Sequence, residues 1–542
     1  MFKSKTKTLL LFCSLGVITL GCNLEYFGEA VLEDFEWNPS IALPIGEISY
    51  SVSELFEDLD SAGVDISPNS DDIVTITYEE ELKAQNANAF VSMVNQSLNE
   101  KRSPGINVSN PGVASQVSIN DVFAFDWQTS FEEVYDSINF SDGSIQLMIS
   151  SDIDADITYS LTIQSLLKKP DRTPLTLSGT LSTQNPSFTF NDELRTYLAD
   201  LTQDVNGDAT NNSVVVNLDY EINIAPNSSI QETDGIEVSL TFGQPQFDAA
   251  YVFLGQRPID VSFDLLNLDF FDTFGEGTID FAEPVFKFTF DNSFGFPLGI
   301  RFNEMAAVTQ IGEIINLSGD IVNRVNVVEG PQLADSGSSI ETTIAISANN
   351  SNLPDLVNSK PSKVIVDVTA FANPVEAPFQ YNYLINSSQL RIKGVLEMPM
   401  IVNINQLTST QRVDLNISST LEQANRLLLR IITENELPLG GNIELSFVDA
   451  GGDILLVKEE VAFFNAAAVG PDGRTTGAVS QTVDITLTNE EIRLMESSVG
   501  IDVKMRLNTT NSNSGMSVKF FSDYQLKIKL AAQADVIITN SN

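Results

Sequence analysis

The chain has 542 residues, 29 Lys and Arg against 73 Asp and Glu, a formal charge of −44, and no histidine. An acidic surface repels nucleic acid and anionic headgroups, because there is no basic face to neutralise phosphate. Without imidazole there is no Ser-His-Asp or Cys-His catalysis and no His-ligated zinc or iron, which leaves an enzyme only paired carboxylates, Ser-Lys chemistry or an oxygen-ligated metal. The expectation is therefore a non-enzymatic protein.

The first residues read as an export signal. Lys3, Lys5 and Lys7 precede an apolar run, Leu9 to Ile18, too short to span a bilayer, which needs roughly twenty residues. The run ends in Thr19-Leu20-Gly21-Cys22, which resembles the lipobox of bacterial lipoproteins. That resemblance implies cleavage after residue 21, acylation of Cys22, and a durable membrane tether made by more than one acyl chain. With Cys13 removed and Cys22 lipidated, no thiol remains for a disulfide, a nucleophile or a metal. Residues 23 to 82 contain sixteen acids and no Lys or Arg, so the part nearest the tether should stand off an anionic surface. Glu25, Glu29, Glu33, Asp34 and Glu36 are similar to the acidic residues that accompany outward display in Bacteroidetes lipoproteins. Asp60-Ser61-Ala62 and Asp136-Ser137-Ile138 match the short O-glycosylation triplet of the same group.

Strand signals dominate the rest of the chain. Ile153–Gln164 alternates apolar and polar residues over twelve positions, a strand of roughly 40 Å. Val216–Ile224, Phe286–Phe290, Val483–Leu487, Ile501–Leu507 and Tyr524–Leu530 repeat the pattern. One wet and one dry face per strand predicts an all-β protein of tandem antiparallel β-sandwich domains. A few short capping helices are expected at Ser51–Leu59, Leu194–Leu201 and Asn489–Glu496. Loops fall at Ser103–Gly112, Gly330–Ser339 and Gly470–Gly477, the last a long hairpin tip. The divisions expected are a signal at 1–21, a tether at 22–36, an N-terminal β domain at 37–265 with room for two sub-domains, a central sandwich at 266–402 and a C-terminal sandwich at 403–542.

A strand, an asparagine turn, then proline and an apolar residue recur: Phe288–Asn292 into Pro297-Leu298, Leu429–Glu434 through Asn435 into Pro438-Leu439, and Leu390–Glu397 into Met398-Pro399-Met400. We read these as copies of one sandwich unit. The unit resembles late-embryogenesis-abundant, water-stress-type β-sandwiches and, more faintly, bactericidal/permeability-increasing-type lipid carriers. Trp37–Gly46 and Gly277–Gly299 resemble large β-rich Bacteroidetes outer-membrane lipoproteins of unknown role. Neither resemblance brings catalytic residues.

Three features are candidate sites. Asp152, Asp154 and Asp156 share a strand face but stand nearly 7 Å apart, too far for one ion. Asp204, Asn206 and Asp208 have the one-three-five oxygen spacing of a calcium loop, yet glycine comes at the fourth position and Val215 replaces the closing glutamate; a polar hairpin turn competes with a calcium site. Fourteen of the 33 phenylalanines lie between Phe242 and Phe302, as a dry core or as the wall of a lipid-holding interior. Trp37 and Trp127 are the only tryptophans, a poor glycan platform. The sequence thus predicts a lipid-anchored outer-membrane protein, facing outward, that binds an envelope protein or polymer through no cofactor other than a possible calcium ion. A carrier of hydrophobic ligand and a polysaccharide-binding or carboxylate-dependent polysaccharide-active protein are the alternatives.

Overall fold

The computed structural model describes residues 36–56, 64–87, 91, 93–259, 266–267, 275–322, 324–375, 382–414, 424–536 and 538–539; the signal segment, Cys22 and the Asp60 triplet lie outside them. The described residues are almost all β, in antiparallel sheets, with three short α-helices, Val52–Phe56, Leu353–Asn358 and Asn489–Glu496. The last of these carries a full capping box, Thr488 and Glu491 each satisfying the other's backbone. The helix expected over Leu194–Leu201 is instead one 3-10 turn, Leu194–Thr196, followed by the strand Tyr197–Asp200. Backbone pairing to strands on both sides overrides the helical spacing of its apolar residues.

Three sandwiches of one topology account for nearly every strand. In the first, one sheet runs Ser187–Glu193, Val134–Ser151, Ile236–Phe253, Gln96–Arg102, and the other Ser115–Asp126, Ser213–Ile224, Asp156–Lys168, Thr173–Leu181. In the second the same places are taken by Ile340–Ser347, Val285–Asn292, Gln389–Pro399 and Val74–Asn86, facing Pro258–Ile259 with Leu266–Asn267, then Pro361–Ala372, Leu298–Thr309 and Ile314–Asn316. In the third they are taken by Val479–Thr488, Ala424–Asn435, Gln525–Val536 and Ser40–Ser51, facing Leu407–Asp414, Gly500–Thr509, Leu439–Val448 and Ile454–Phe464. A helical turn falls at the same point of each, before the strand that crosses to the second sheet.

This corrects the expected division of the chain. Residues 37–102 do not belong to an N-terminal domain alone. Their strands are dealt out in reverse, Ser40–Ser51 to the third sandwich, Val74–Asn86 to the second, Gln96–Arg102 to the first, before the chain returns through the three in order. The expected boundary at 265/266 falls inside the second sandwich, whose strands Pro258–Ile259 and Leu266–Asn267 share one partner strand.

Two of the three expected recurrences occupy equivalent places. Asn292 and Asn435 are fully buried at the end of corresponding strands. Asn292 Oδ1 accepts from Phe294 N (2.9 Å) while its Nδ2 donates to Phe296 O and Glu329 O. Asn435 Oδ1 accepts from Leu437 N (3.0 Å) while its Nδ2 donates to Leu437 O, Leu439 O and Asn465 O. Ser151 does the reduced version in the first sandwich, accepting from Ile153 N and donating to Gly235 O. Leu390–Met400 is different: it is the strand that leaves each unit, not the one that turns within it.

The cores differ. One continuous apolar cluster fills the first and second sandwiches and reaches the edge of the third. The rest of the third breaks into two small clusters, one around Phe447, Ile492 and Met495 beneath the capped helix, the other around Ile431, Ile443, Val483 and Ile485.

Candidate functional site

One surface that differs between the units is the free end of the first sandwich. In the later units, the connection before the last strand docks on the unit before it: Tyr383–Ile385 pairs with Ala249–Tyr251, and Val518–Lys519 with Ile401–Val402. Val252 N donates to Asn382 O, and Phe520 N to Met400 O, so backbone hydrogen bonds close both junctions. The equivalent connection of the first sandwich, residues 225–235, has no preceding unit; its Ser229–Ile230 pairs with Val108–Ser109 of the same sandwich. A cleft opens here, lined by Lys101, Ser151, Asp152, Pro186, Gly235 and Glu237.

The alternating aspartates lie at this end and work as braces. Asp152 Oδ2 takes the Lys101 ammonium at 2.7 Å and its Oδ1 accepts from Gly235 N at 2.7 Å. Burial alone would raise the Asp152 carboxyl, but Lys101 and the Gly235 amide outweigh it and hold it below the usual carboxylate range. Asp154 Oδ2 accepts from Ser229 N at 3.1 Å. Asp156 opens the next strand and is exposed. Asp152 and Asp154 therefore serve separate partners. Beside them Arg102 grips Asp121 through two nitrogens (2.6 and 2.9 Å) and Glu100 through a third contact, which raises its pKa.

Asp204, Asn206 and Asp208 do come together, but around a backbone. Asp204 Oδ1 accepts from Asn206 N (2.8 Å) and Asp208 N (2.9 Å), and Asp204 N donates to Asp208 O. Gly207 takes φ +80°. The same turn recurs at Asn69–Ile73 and Asp449–Asp453, with Asp72 (φ 61°) and Gly452 (φ 87°) at the left-handed position. Calcium-like spacing here is the signature of an Asx-capped five-residue turn, since an oxygen at the first place serves the amides at the third and fifth. Among the described residues no group of three or more His, Cys, Asp or Glu converges as a metal set.

The phenylalanine run forms packed core over most of its described length, with Phe253, 38% exposed, the exception. Phe281, Phe286, Phe288, Phe290, Phe294, Phe296 and Phe302 are buried, with Phe286 and Phe288 centroids 4.4 Å apart and Phe288 and Phe302 5.2 Å apart. A Cβ on Gly295 would strike the Tyr383 ring at 2.1 Å, so the space beside the run is filled. Phe263, Phe270, Phe271 and Phe274 lie outside the described residues.

Sequence reading missed one buried ion pair. Glu133, its side chain 1% exposed, meets Arg257 at 3.3 Å and accepts from Phe131 N at 2.9 Å, while Arg257 lies 3.8 Å from the Phe131 ring centroid. The partners stand 124 positions apart, and no local pattern announces them.

No protein-family model matches the chain, and no curated protein does. Among solved structures, the chain is similar to a presumed secreted protein from Parabacteroides distasonis ATCC 8503 over 92% of this chain and 99% of the other, at 11% identity and a TM-score of 0.26. It is also similar to the N-terminal CBM22-1–CBM22-2 tandem of Xyn10C from Paenibacillus barcinonensis over 54% of this chain and 88% of the other, at 8% identity and a TM-score of 0.13. Scores this low carry no functional argument.

Proposed function

We propose that this is a lipid-anchored envelope protein of the outer membrane that performs no catalysis and carries its first sandwich outward, for contact with an envelope protein or a polymer. The observation that supports it is the reversed deal of the N-terminal strands. Glu36–Trp37 pairs with Ile538–Thr539 and Ser40–Ser51 with Gln525–Val536, so both ends of the described chain leave from the outer end of the third sandwich. Cys22 lies only fourteen residues before Glu36. An anchor there puts the free end of the first sandwich three strand lengths from the bilayer, on the order of 100 Å. Acidic residues clustered near the tether favour standing off an anionic surface.

The test uses the absence of other thiols once Cys22 is acylated. Single cysteines at Gly112, in the free-end loop, and at Gly451, in a turn of the third sandwich, carry a donor dye on lipidated protein in vesicles holding a membrane acceptor. Strong transfer from position 451 and almost none from 112 is expected. Equal transfer from both defeats the upright arrangement, and failure of radiolabelled palmitate to enter the wild-type chain defeats the anchor.

A further inference from the structure

The first sandwich differs from its sisters in the outward face of one sheet, the one made by Ser187–Glu193, Val134–Ser151, Ile236–Phe253 and Gln96–Arg102. In the second sandwich the matching face is laced by ion pairs, Lys287–Glu397, Lys393–Glu79 and Arg391–Asp291. In the third, Arg430–Asp484, Arg426–Asp535 and Lys529–Glu434 do the same. In the first, register sets Thr189, Met148, Ser239 and Asn99 side by side in one row and Asn191, Gln146, Thr241 and Ser97 in the next, with no charge in either. Among the described residues, the only side-chain hydrogen bond within these two rows runs from Gln146 Nε2 to Asn191 Oδ1, at 3.0 Å. A third row, Ser187, Ser150, Glu237 and Lys101, lines the cleft at the free end, so the flat face runs into a concave edge.

Short hydroxyl and amide side chains both donate and accept, and they lose less rotamer freedom on contact than the lysines and glutamates of the sister faces. Met148, 37% exposed, is the one apolar side chain among them and adapts to the shape it meets. At ordinary strand spacings the three rows cover roughly 14 Å by 14 Å, about 200 Å², against about 800 Å² per partner for a standard protein interface. Such a patch is too small for a stable protein partner and large enough for a short stretch of an extended polymer. Charge narrows the occupant further. An anionic chain is repelled by a molecule of formal charge −44, and a cationic one is drawn to faces that carry acids. The opposite sheet has such a face, where Asp219 and Glu221 are held by Asn120 and Gln116.

We infer that this face binds one strand of an uncharged polysaccharide, laid along the sheet and ending in the cleft beside Lys101 and Glu237. Sugar hydroxyls and the side chains of the two uncharged rows are each donor and acceptor at once, so either partner satisfies the other without burying a charge. No aromatic ring lies on the three rows, so the contact rests on hydrogen bonds and gains strength where one long polymer engages many copies at a membrane surface. The outward position of the face rests on the anchoring proposed above; the binding itself does not need the anchor.

The experiment takes the mature full-length chain with Cys22→Ser, so that a failed anchor and a failed face are read separately. It is run on native gels holding dextran, mannan, xylan or galactomannan in turn, with polygalacturonate as the charged comparison. Retardation by at least one uncharged polymer and none by polygalacturonate is expected. Thr189→Glu and Asn99→Glu, both at exposed positions of edge strands, should weaken binding roughly tenfold or more, because each sets an unpaired carboxylate against a neutral chain. Ser178→Glu, exposed on the opposite sheet, should leave it unchanged. The retarding polymer should also slow peroxide oxidation of Met148 and not that of Met516, which is exposed in the loop after Gly500–Thr509, and this locates the contact even where a variant fails to fold. No retardation by any of the four, equal retardation by polygalacturonate, retardation that both folded face variants keep, or Met148 left unprotected overturns the inference. So does an envelope protein that Thr189→Glu releases while no polysaccharide is retained, since the occupant would then be a protein.

Discussion

Asn435→Ala should be among the most damaging single substitutions in the third sandwich. The side chain is fully buried; its oxygen accepts one backbone hydrogen bond and its two N–H groups are shared among three carbonyls. At about 1 kcal/mol net for each of these three hydrogens, their loss sets a scale of about 3 kcal/mol. Leu437 O keeps a partner in Ala467 N at 3.0 Å, whereas Leu437 N is left with none from this side chain, so the expected cost is about 3 kcal/mol. Ser151→Ala, at the equivalent place with two bonds and partial exposure, should cost about 1 kcal/mol. Asn435→Asp separates donors from acceptors: it keeps the bond from Leu437 N and turns a carboxylate toward three carbonyls. Burial and those carbonyls raise the folded-state pKa of the new group above its unfolded value of about 3.9, so its penalty is small near pH 4 and grows toward pH 7. Urea unfolding followed by hydrogen exchange in strands Ala424–Asn435 and Leu439–Val448 isolates the third sandwich from the rest. A cost within about 0.5 kcal/mol of zero for Asn435→Ala, or an equal cost for Ser151→Ala, would refute the view that this asparagine pins the turn.

The remaining expectations concern charge and calcium. Arg257→Ala leaves the buried Glu133 carboxylate facing only Phe131 N and should lower stability by about 3 kcal/mol by denaturant titration, part of which Glu133→Gln restores in the double variant. Glu491 is held below the usual glutamate range first by Lys458 and then by the Thr488 amide, so its contribution is present above about pH 4.3 and disappears as pH falls through the lower folded value. Thermal melts of Glu491→Gln should therefore lie below wild type at pH 7 and converge with it near pH 3; a constant gap contradicts the pairing. Calcium at about 1 mM should leave the melting temperature unmoved, and Asp204→Ala should cost about 1 kcal/mol with or without the ion; a calcium-dependent rise abolished by that substitution would restore the ion-site reading.

Local pattern exposed the strands because each sandwich has one dry and one wet face. Val216–Ile224 and Tyr524–Leu530 alternate for the same reason they pair, and the short helix expected over Asn489–Glu496 is there, held by a capping box of Thr488 and Glu491. The repeat was visible only where a buried asparagine ends a strand, since Asn292 and Asn435 must be asparagine to donate and accept at once; Ser151 does a smaller version of the task and was invisible. Partner choice could not be read at all. Ser40 and Gln533 lie 493 positions apart, yet their side chains are joined at 2.7 Å, and nothing in Ser40–Ser51 distinguishes the third sandwich from the first as its destination. Asp204, Asn206 and Asp208 left two readings open for a related reason: the geometry that offers oxygen to a cation also offers it to the backbone amides of a tight turn, and a single sequence does not say which is present.

The reversed deal looks costly and is not. Closing the contact between Asn95 and Gln244 spans 149 positions, and closing that between Ser40 and Gln533 spans 493. Loop entropy grows only with the logarithm of length, so the longer closure costs about 1 kcal/mol more than the shorter. What the arrangement does change is order. The first sandwich has all its strands once residue 253 exists, the second waits for 399, and the third needs the last long strand of the described chain, Gln525–Val536, to pair with its first long one. The unit that waits longest is also the one with a divided core. Two small clusters pack fewer side chains against one another than a single continuous core does, so the third sandwich should be the first of the three to open locally, and hydrogen exchange should reach strands Ala424–Asn435 and Gln525–Val536 before Val134–Ser151.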